Sequence, residues 1–186
     1  MDPLSPAAPR PRFATAWLGG CSGCHMSFLD LDERLIELVG RADLVYSPIM
    51  DVKEFPADVD ATLVEGAIAN EEHLHQIETI RARTKVLIAF GDCAVTGNVT
   101  ALRNPLGSAE SVLQRVYVEG VDLQPGVPRE PGIVPRLLDR VRPVHELVLV
   151  DVFLPGCPPE ADLIHYVLTE VLEGRRPDLS KRLKYG

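Results

Sequence analysis

Residues Lys85 to Phe90 read KVLIAF, an almost unbroken apolar run of strand length. A strand without a polar face must be covered on both sides, as in a parallel sheet clad by helices. Parallel strands need crossover connections, so the rest of the chain should alternate strands with helices. Phe13 to Leu18 (FATAWL) fits a short buried strand ended by Gly19 and Gly20. Ser27 to Val39 then repeats Phe28, Leu31, Leu35 and Leu38 at helical spacing, with Gly40 as the expected stop. Leu44 to Ile49 and Ala61 to Val64 read as further strands, and Asn70 to Ala82 as a polar helix that Asn70 can cap. Leu147 to Leu154 is a second apolar run. After it, Pro159 to Leu172 places Ala161, Ile164, His165, Leu168 and Leu172 on one helical face, closed by Gly174. The expected fold class is α/β, a doubly wound parallel sheet.

With 186 residues, 46% of them hydrophobic, the chain suits one domain that buries a core without disulfide staples. Its 19 basic and 27 acidic residues leave a charge of −8, which disfavours a nucleic-acid surface built on clustered Lys and Arg. No apolar run approaches the roughly 20 residues that span a bilayer. The start has neither a basic-then-apolar secretory pattern nor paired arginines, since Pro11 separates Arg10 from Arg12. A cytoplasmic location is expected. In that reducing compartment four cysteines point to metal or redox chemistry rather than to two structural disulfides.

The body, 13–174, is flanked by a proline-rich arm over 1–12 and a basic tail over 175–186 that contains Arg175, Arg176, Lys181, Arg182 and Lys184. Between 103 and 143 many prolines and glycines occur without a long periodic run, which is expected to form an irregular insertion and a partner surface. The tail reads equally as a docking element or a solvated end.

Cys21 and Cys24 directly follow the first strand, Cys93 follows Phe90 by three residues, and Cys157 follows Leu154 by three. Loops after parallel strands leave from the same carboxyl edge, so these four thiols can meet although they are distant in sequence. Soft thiolates select zinc, copper(I) or iron–sulfur clusters. One local pair plus two single cysteines, with Gly19, Gly20, Gly23, Gly91 and Gly156 nearby, suits an object larger than one ion. It suits less well a structural zinc site, which usually has two local pairs. A thioredoxin-like CxxC leaves Cys93 and Cys157 unexplained.

Three motifs carry a family resemblance: WLGGCSGCHMSFLD at 17–30, GDCAVTGNV at 91–99 and LPGCPP at 154–159. Together they resemble the small subunit of cytoplasmic NAD-reducing nickel–iron hydrogenases, over about Phe13 to Gly174. The resemblance implies a flavodoxin-like fold and one [4Fe-4S] cluster on Cys21, Cys24, Cys93 and Cys157. It implies a large subunit bearing the Ni-Fe centre, and a diaphorase module bearing FMN and further iron–sulfur clusters. This chain would then be an electron relay, with hydrogen activation and NAD reduction on its partners. It shows no GxGxxG fingerprint and no ligands for a second cluster. A related quinone-reductase subunit typically has adjacent cysteines at the first motif; here Ser22 and Gly23 separate them.

Glu65, in VEGAI, would lie at the same sheet edge and accept hydrogen bonds from the ligand loops or take part in proton traffic; the plain alternative is a solvated loop carboxylate. His25 is expected to face water or pack at an interface, with a bond to a cluster sulfur or the large subunit as the alternative. Asp92 is expected to organise its turn rather than to bind iron. FMN on this chain has weak support, because Cys21 and Cys24 occupy the loop where a flavodoxin cradles phosphate. His73, His75, His145 and His165 show no metal spacing.

Overall fold

The structure, a computed structural model, describes residues 9–120, 124–180 and 182–183. Five strands form one wholly parallel sheet: β1 (Arg12–Trp17), β2 (Asp43–Tyr46), β3 (Val59–Glu65), β5 (Thr84–Phe90) and β7 (Val152–Leu154). Their spatial order is β2-β1-β3-β5-β7, with every neighbouring pair parallel. Counted along this sheet the order is 2-1-3-4-5; the apolar runs pointed to a doubly wound parallel sheet, and the resemblance implied this flavodoxin-like arrangement of it. Side chains alternate between two cores, as a strand's period of two requires. Phe13, Leu63, Ile88 and Phe90 pack with Phe28, Ile164 and Leu168 on one face; Ala14, Val64, Leu87 and Ala89 pack with Ile77, Ile80 and Val144 on the other.

The first face is covered by α1 (Gly23–Leu29), α2 (Glu33–Arg41) and α7 (Ala161–Leu172). The single helix expected from 27 to 39 is two helices, broken at Asp30–Asp32, where Asp32 takes φ 50° and Leu31 is buried between them. Gly40 does not stop the second, which continues to Arg41. The other face carries α3 (Glu71–Arg83), whose Asn70 side chain accepts the His73 N–H as anticipated, and α4 (Asp92–Thr96). β7 is shorter than its apolar run. Asp151 takes the Leu87 N–H on its carboxylate at 2.8 Å, while Leu147, Val148 and Val150 pack on the core outside the ladder.

The stretch 103–143 is more ordered than its composition suggests. It contains α6 (Ala109–Gln114) and β6 (Leu137–Arg142), and β6 pairs antiparallel with β4 (Ile68–Asn70) in a separate two-stranded sheet. A short helix, α5 (Asn98–Ala101), and the turn after it join that sheet to the main body. Arg103 donates to the carbonyls of Ala69 and Leu138 at 3.1 and 2.6 Å. Asn104 imitates a strand residue, donating to Val141 O at 2.9 Å and accepting Val141 N–H at 2.8 Å.

At the chain ends the described residues are fixed rather than loose. Arg10 is held by Ala42 O and Asp43, and Arg12 already belongs to β1. Most of the expected arm, 1–8, lies outside the described residues, as do Lys181 and Lys184 of the expected basic tail. Within that tail, Arg175 pairs with Glu170, and Arg182 stacks on the Tyr166 ring 3.9 Å from its centroid. Among the described residues no helix is long and apolar enough to cross a membrane.

Candidate metal centre

In the parallel register Trp17, Glu65, Phe90 and Leu154 form the last row at the carboxyl edge of four strands. All four cysteines leave from this row. Cys21 and Cys24 come from the loop and first turn after β1, Cys93 from the first turn after β5, and Cys157 from the loop after β7. They carry no disulfide; Cys21 and Cys157 are exposed, whereas Cys24 and Cys93 retain 7% and 8% of their surface.

Backbone geometry locks the loops together. Asp92 N–H donates to Gly156 O at 2.9 Å, and the Asp92 carboxylate accepts Gly156 N–H at 2.7 Å, so the Cys93 and Cys157 loops share a two-bond bridge. The Asp92 side chain, expected to organise its own turn, is instead bonded to the neighbouring loop. Ser27 of α1 donates to Pro159 O at 2.5 Å, tying the helix of Cys24 to the Cys157 loop. Thr100 donates to Gly19 O at 2.7 Å, tying α5 to the loop of Cys21. At Gly91, with φ 82°, a Cβ would stand 2.1 Å from Cys24 Sγ; the bare backbone there is what admits the thiol.

Burial, then the charges of Glu65 and the other three cysteines, pushes the Cys24 thiol far above its ordinary value. Burial also raises Cys93, against the Thr100 hydroxyl and the backbone N–H groups of Thr100 and Val99. Thiols that oppose one another's ionisation persist as thiolates around positive charge, which a bound metal supplies. Among the described residues no three His, Cys, Asp or Glu side chains are arranged to hold one metal ion. Tetrahedral zinc needs four sulfurs about 2.3 Å from one point. A cubane binds each thiolate to a different iron and fits a wider ring of sulfurs. Four thiols on one sheet edge are a donor set of the kind that holds an iron–sulfur cluster.

Exposure gives these thiols a testable order. In cluster-free protein, iodoacetamide is expected to modify Cys21 and Cys157 at least tenfold faster than Cys24 and Cys93, read by peptide mass spectrometry over time. Equal rates at all four would contradict the described burial.

Glu65 closes the row from β3 and is only 1% exposed. One of its oxygens accepts the backbone N–H of His25 at 2.9 Å and lies against His25 Nδ1. His25 therefore does not face water, the first of the two positions expected for it. The ring is buried, edge-on to Phe90 with centroids 6.2 Å apart, and its Nε2 has no hydrogen-bond partner among the described residues. An oxygen that already receives one N–H favours the tautomer with the proton on Nδ1. The sequence signalled the burial of Glu65, which ends an apolar strand and is followed by an apolar stretch, but not its pairing with His25. His73 is also partly buried, which lowers its pKa, but it serves α3 and β4 through the Ala69 N–H.

A 2-1-3-4-5 parallel sheet with four thiols on its carboxyl edge defines a flavodoxin-like α/β domain built around a thiol site. The chain belongs to the NADH ubiquinone oxidoreductase, 20 Kd subunit family, whose model matches residues 21–171. It is similar to the delta subunit of the NAD-reducing hydrogenase HoxS of Cupriavidus necator, at 40% identity over 96% of this chain and 88% of that protein. It is also similar to a subunit of the vhu F420-non-reducing hydrogenase of Methanococcus voltae, at 41% identity over 95% of this chain but 61% of that protein. A chain in the crystal structure of an NAD+-reducing [NiFe]-hydrogenase in the H2-reduced state superposes with a TM-score of 0.89. That match has 40% identity and covers 96% of this chain and 100% of that one. A [NiFeSe]-hydrogenase structure from Dm. baculatum, at 18% identity and a TM-score of 0.58, shares the fold.

Proposed function

We propose that this chain is the electron-transfer small subunit of an NAD-reducing [NiFe] hydrogenase, with one [4Fe-4S] cluster held by Cys21, Cys24, Cys93 and Cys157. The observation that carries the reading is the convergence of those thiols, from three separate loops, on one edge of the sheet. When bound, such a cluster carries one electron at a time. The chain's own residues set its surroundings: Gly91 gives the Cys24 sulfur room, Asp92 joins two ligand loops, and the backbone of Val99 and Thr100 directs N–H groups at Cys93. Glu65 orients His25 and the start of α1 beside the site. The exposed ends of the site at Cys21 and Cys157 give a route for electrons to a partner. In this reading a large subunit holds the Ni-Fe centre, diaphorase subunits hold FMN and further clusters, and the assembly works in the cytoplasm. Both likenesses to NAD-reducing hydrogenases, over most of each chain, support NAD as the final acceptor.

The test is iron and acid-labile sulfide analysis, with low-temperature EPR, on the anaerobically purified and dithionite-reduced complex. Four irons and four sulfides on this chain with a cubane signal support the relay. Stoichiometric zinc without iron overturns it and leaves a structural module; FMN retained by the isolated small–large pair would move the flavin onto these two subunits.

A further inference from the structure

The turn after Cys93 contains a side chain with no role so far. Asn98 Nδ2 lies 3.5 Å from Cys157 Sγ, within donor range for sulfur, across 59 residues of sequence. We propose that Asn98 is a positioning residue that sets the reduction potential of the site by donating its side-chain amide to the Cys157 thiolate. The inference rests on the cluster reading above.

The surroundings hold that amide in place. Gly97, φ 85°, sends its N–H to Cys93 O at 3.0 Å, and Asn98 itself takes φ 31°, a conformation that asparagine tolerates better than most residues. Immediately after it, Val99 and Thr100 direct N–H groups at Cys93, and Thr100 is bound to Gly19 O. Arg103 and Asn104 then fasten the turn to β6. One short segment thus touches the loops of Cys21, Cys93 and Cys157, and Asn98 is its contact with the last. A neutral N–H donated to a ligand sulfur disperses negative charge, so it favours the state holding one more electron. Removing the donor should make reduction harder, and a carboxylate in its place should do so more strongly.

The test is an EPR-monitored redox titration of the purified complex carrying wild-type chain, Asn98→Gly or Asn98→Asp. Glycine accepts the positive φ, and aspartate keeps the shape while replacing the donor with an acceptor. Both variants are expected to keep the full iron content. At a fixed solution potential the reduced-to-oxidised ratio should fall about tenfold in Asn98→Gly, equivalent to about 59 mV for one electron, and further in Asn98→Asp. Unchanged or more positive potentials with full iron overturn the proposal. Loss of iron from both variants also overturns it, because a residue that only tunes the site leaves the cluster in place. Wild-type protein without iron would instead overturn the cluster reading itself.

Discussion

Replacing Cys93 by alanine is expected to abolish hydrogen-dependent NAD reduction in the purified complex, by at least a hundredfold, while NADH-dependent dye reduction by the diaphorase subunits continues. The expected specificity follows from position. Cys93 is buried in the first turn of α4, where the backbone N–H groups of Val99 and Thr100 are aimed at its sulfur, and no spare cysteine exists in the chain to replace it. On the proposed reading, removing this thiolate leaves three ligands from two loops, so the cluster is expected to be lost or degraded and iron per chain to fall with the activity. In the proposed assembly the diaphorase reaction would not pass through this site, so it serves as the internal control. Normal turnover from hydrogen to NAD in the variant would sink the assignment of Cys93 as an essential ligand.

Gly91→Ala should have an effect of the same order although it removes no ligand. Its Cβ would stand 2.1 Å from Cys24 Sγ, and its φ of 82° is a region that alanine enters only under strain. The residue cannot shift freely, because Gly91 N–H donates to Leu154 O at 2.8 Å and its carbonyl accepts the N–H of Ala94. Cys24 must therefore leave its present position. The expected result is loss of most of the iron, together with a destabilisation of about 1–3 kcal/mol by denaturant titration. Gly40→Ala is the matching control: nothing lies within 4 Å of the added methyl, and Gly40 sits inside α2. That change should raise stability by about 0.5–1 kcal/mol and leave iron untouched. Equal iron in both variants would show that the close approach at Gly91 does not shape the site.

What the sequence revealed and what it concealed have different physical origins. Apolar runs such as KVLIAF are visible because burial on both faces leaves no room for polar residues, and their shared direction brings the following loops together. The cysteine constellation was legible for that reason. The split between α1 and α2 was hidden because Phe28, Leu31, Leu35 and Leu38 keep helical spacing across it, although Leu31 is buried from a turn. β6 was hidden because LLDRVR has charged residues where it meets solvent, and prolines flank it. Asn104 could not be found by periodicity, since a side chain that imitates a strand's backbone belongs to no repeat. Glu65 was placed at the sheet edge, but its bond to His25 could not be read, because a pair 40 positions apart leaves no local pattern.

The bond from Ser27 to Pro159 joins positions 132 residues apart. At a synthesis rate of about 5–20 residues per second, roughly 7 to 26 s separate the emergence of its two ends from the ribosome. Cys21 and Cys24 are made early, yet the wall that receives Cys157 does not exist until the last quarter of the chain is available. On the proposed reading the four-thiol site is incomplete until Cys157 has been made, so cluster loading would come late and the early thiols would wait in reduced form for their distant companion.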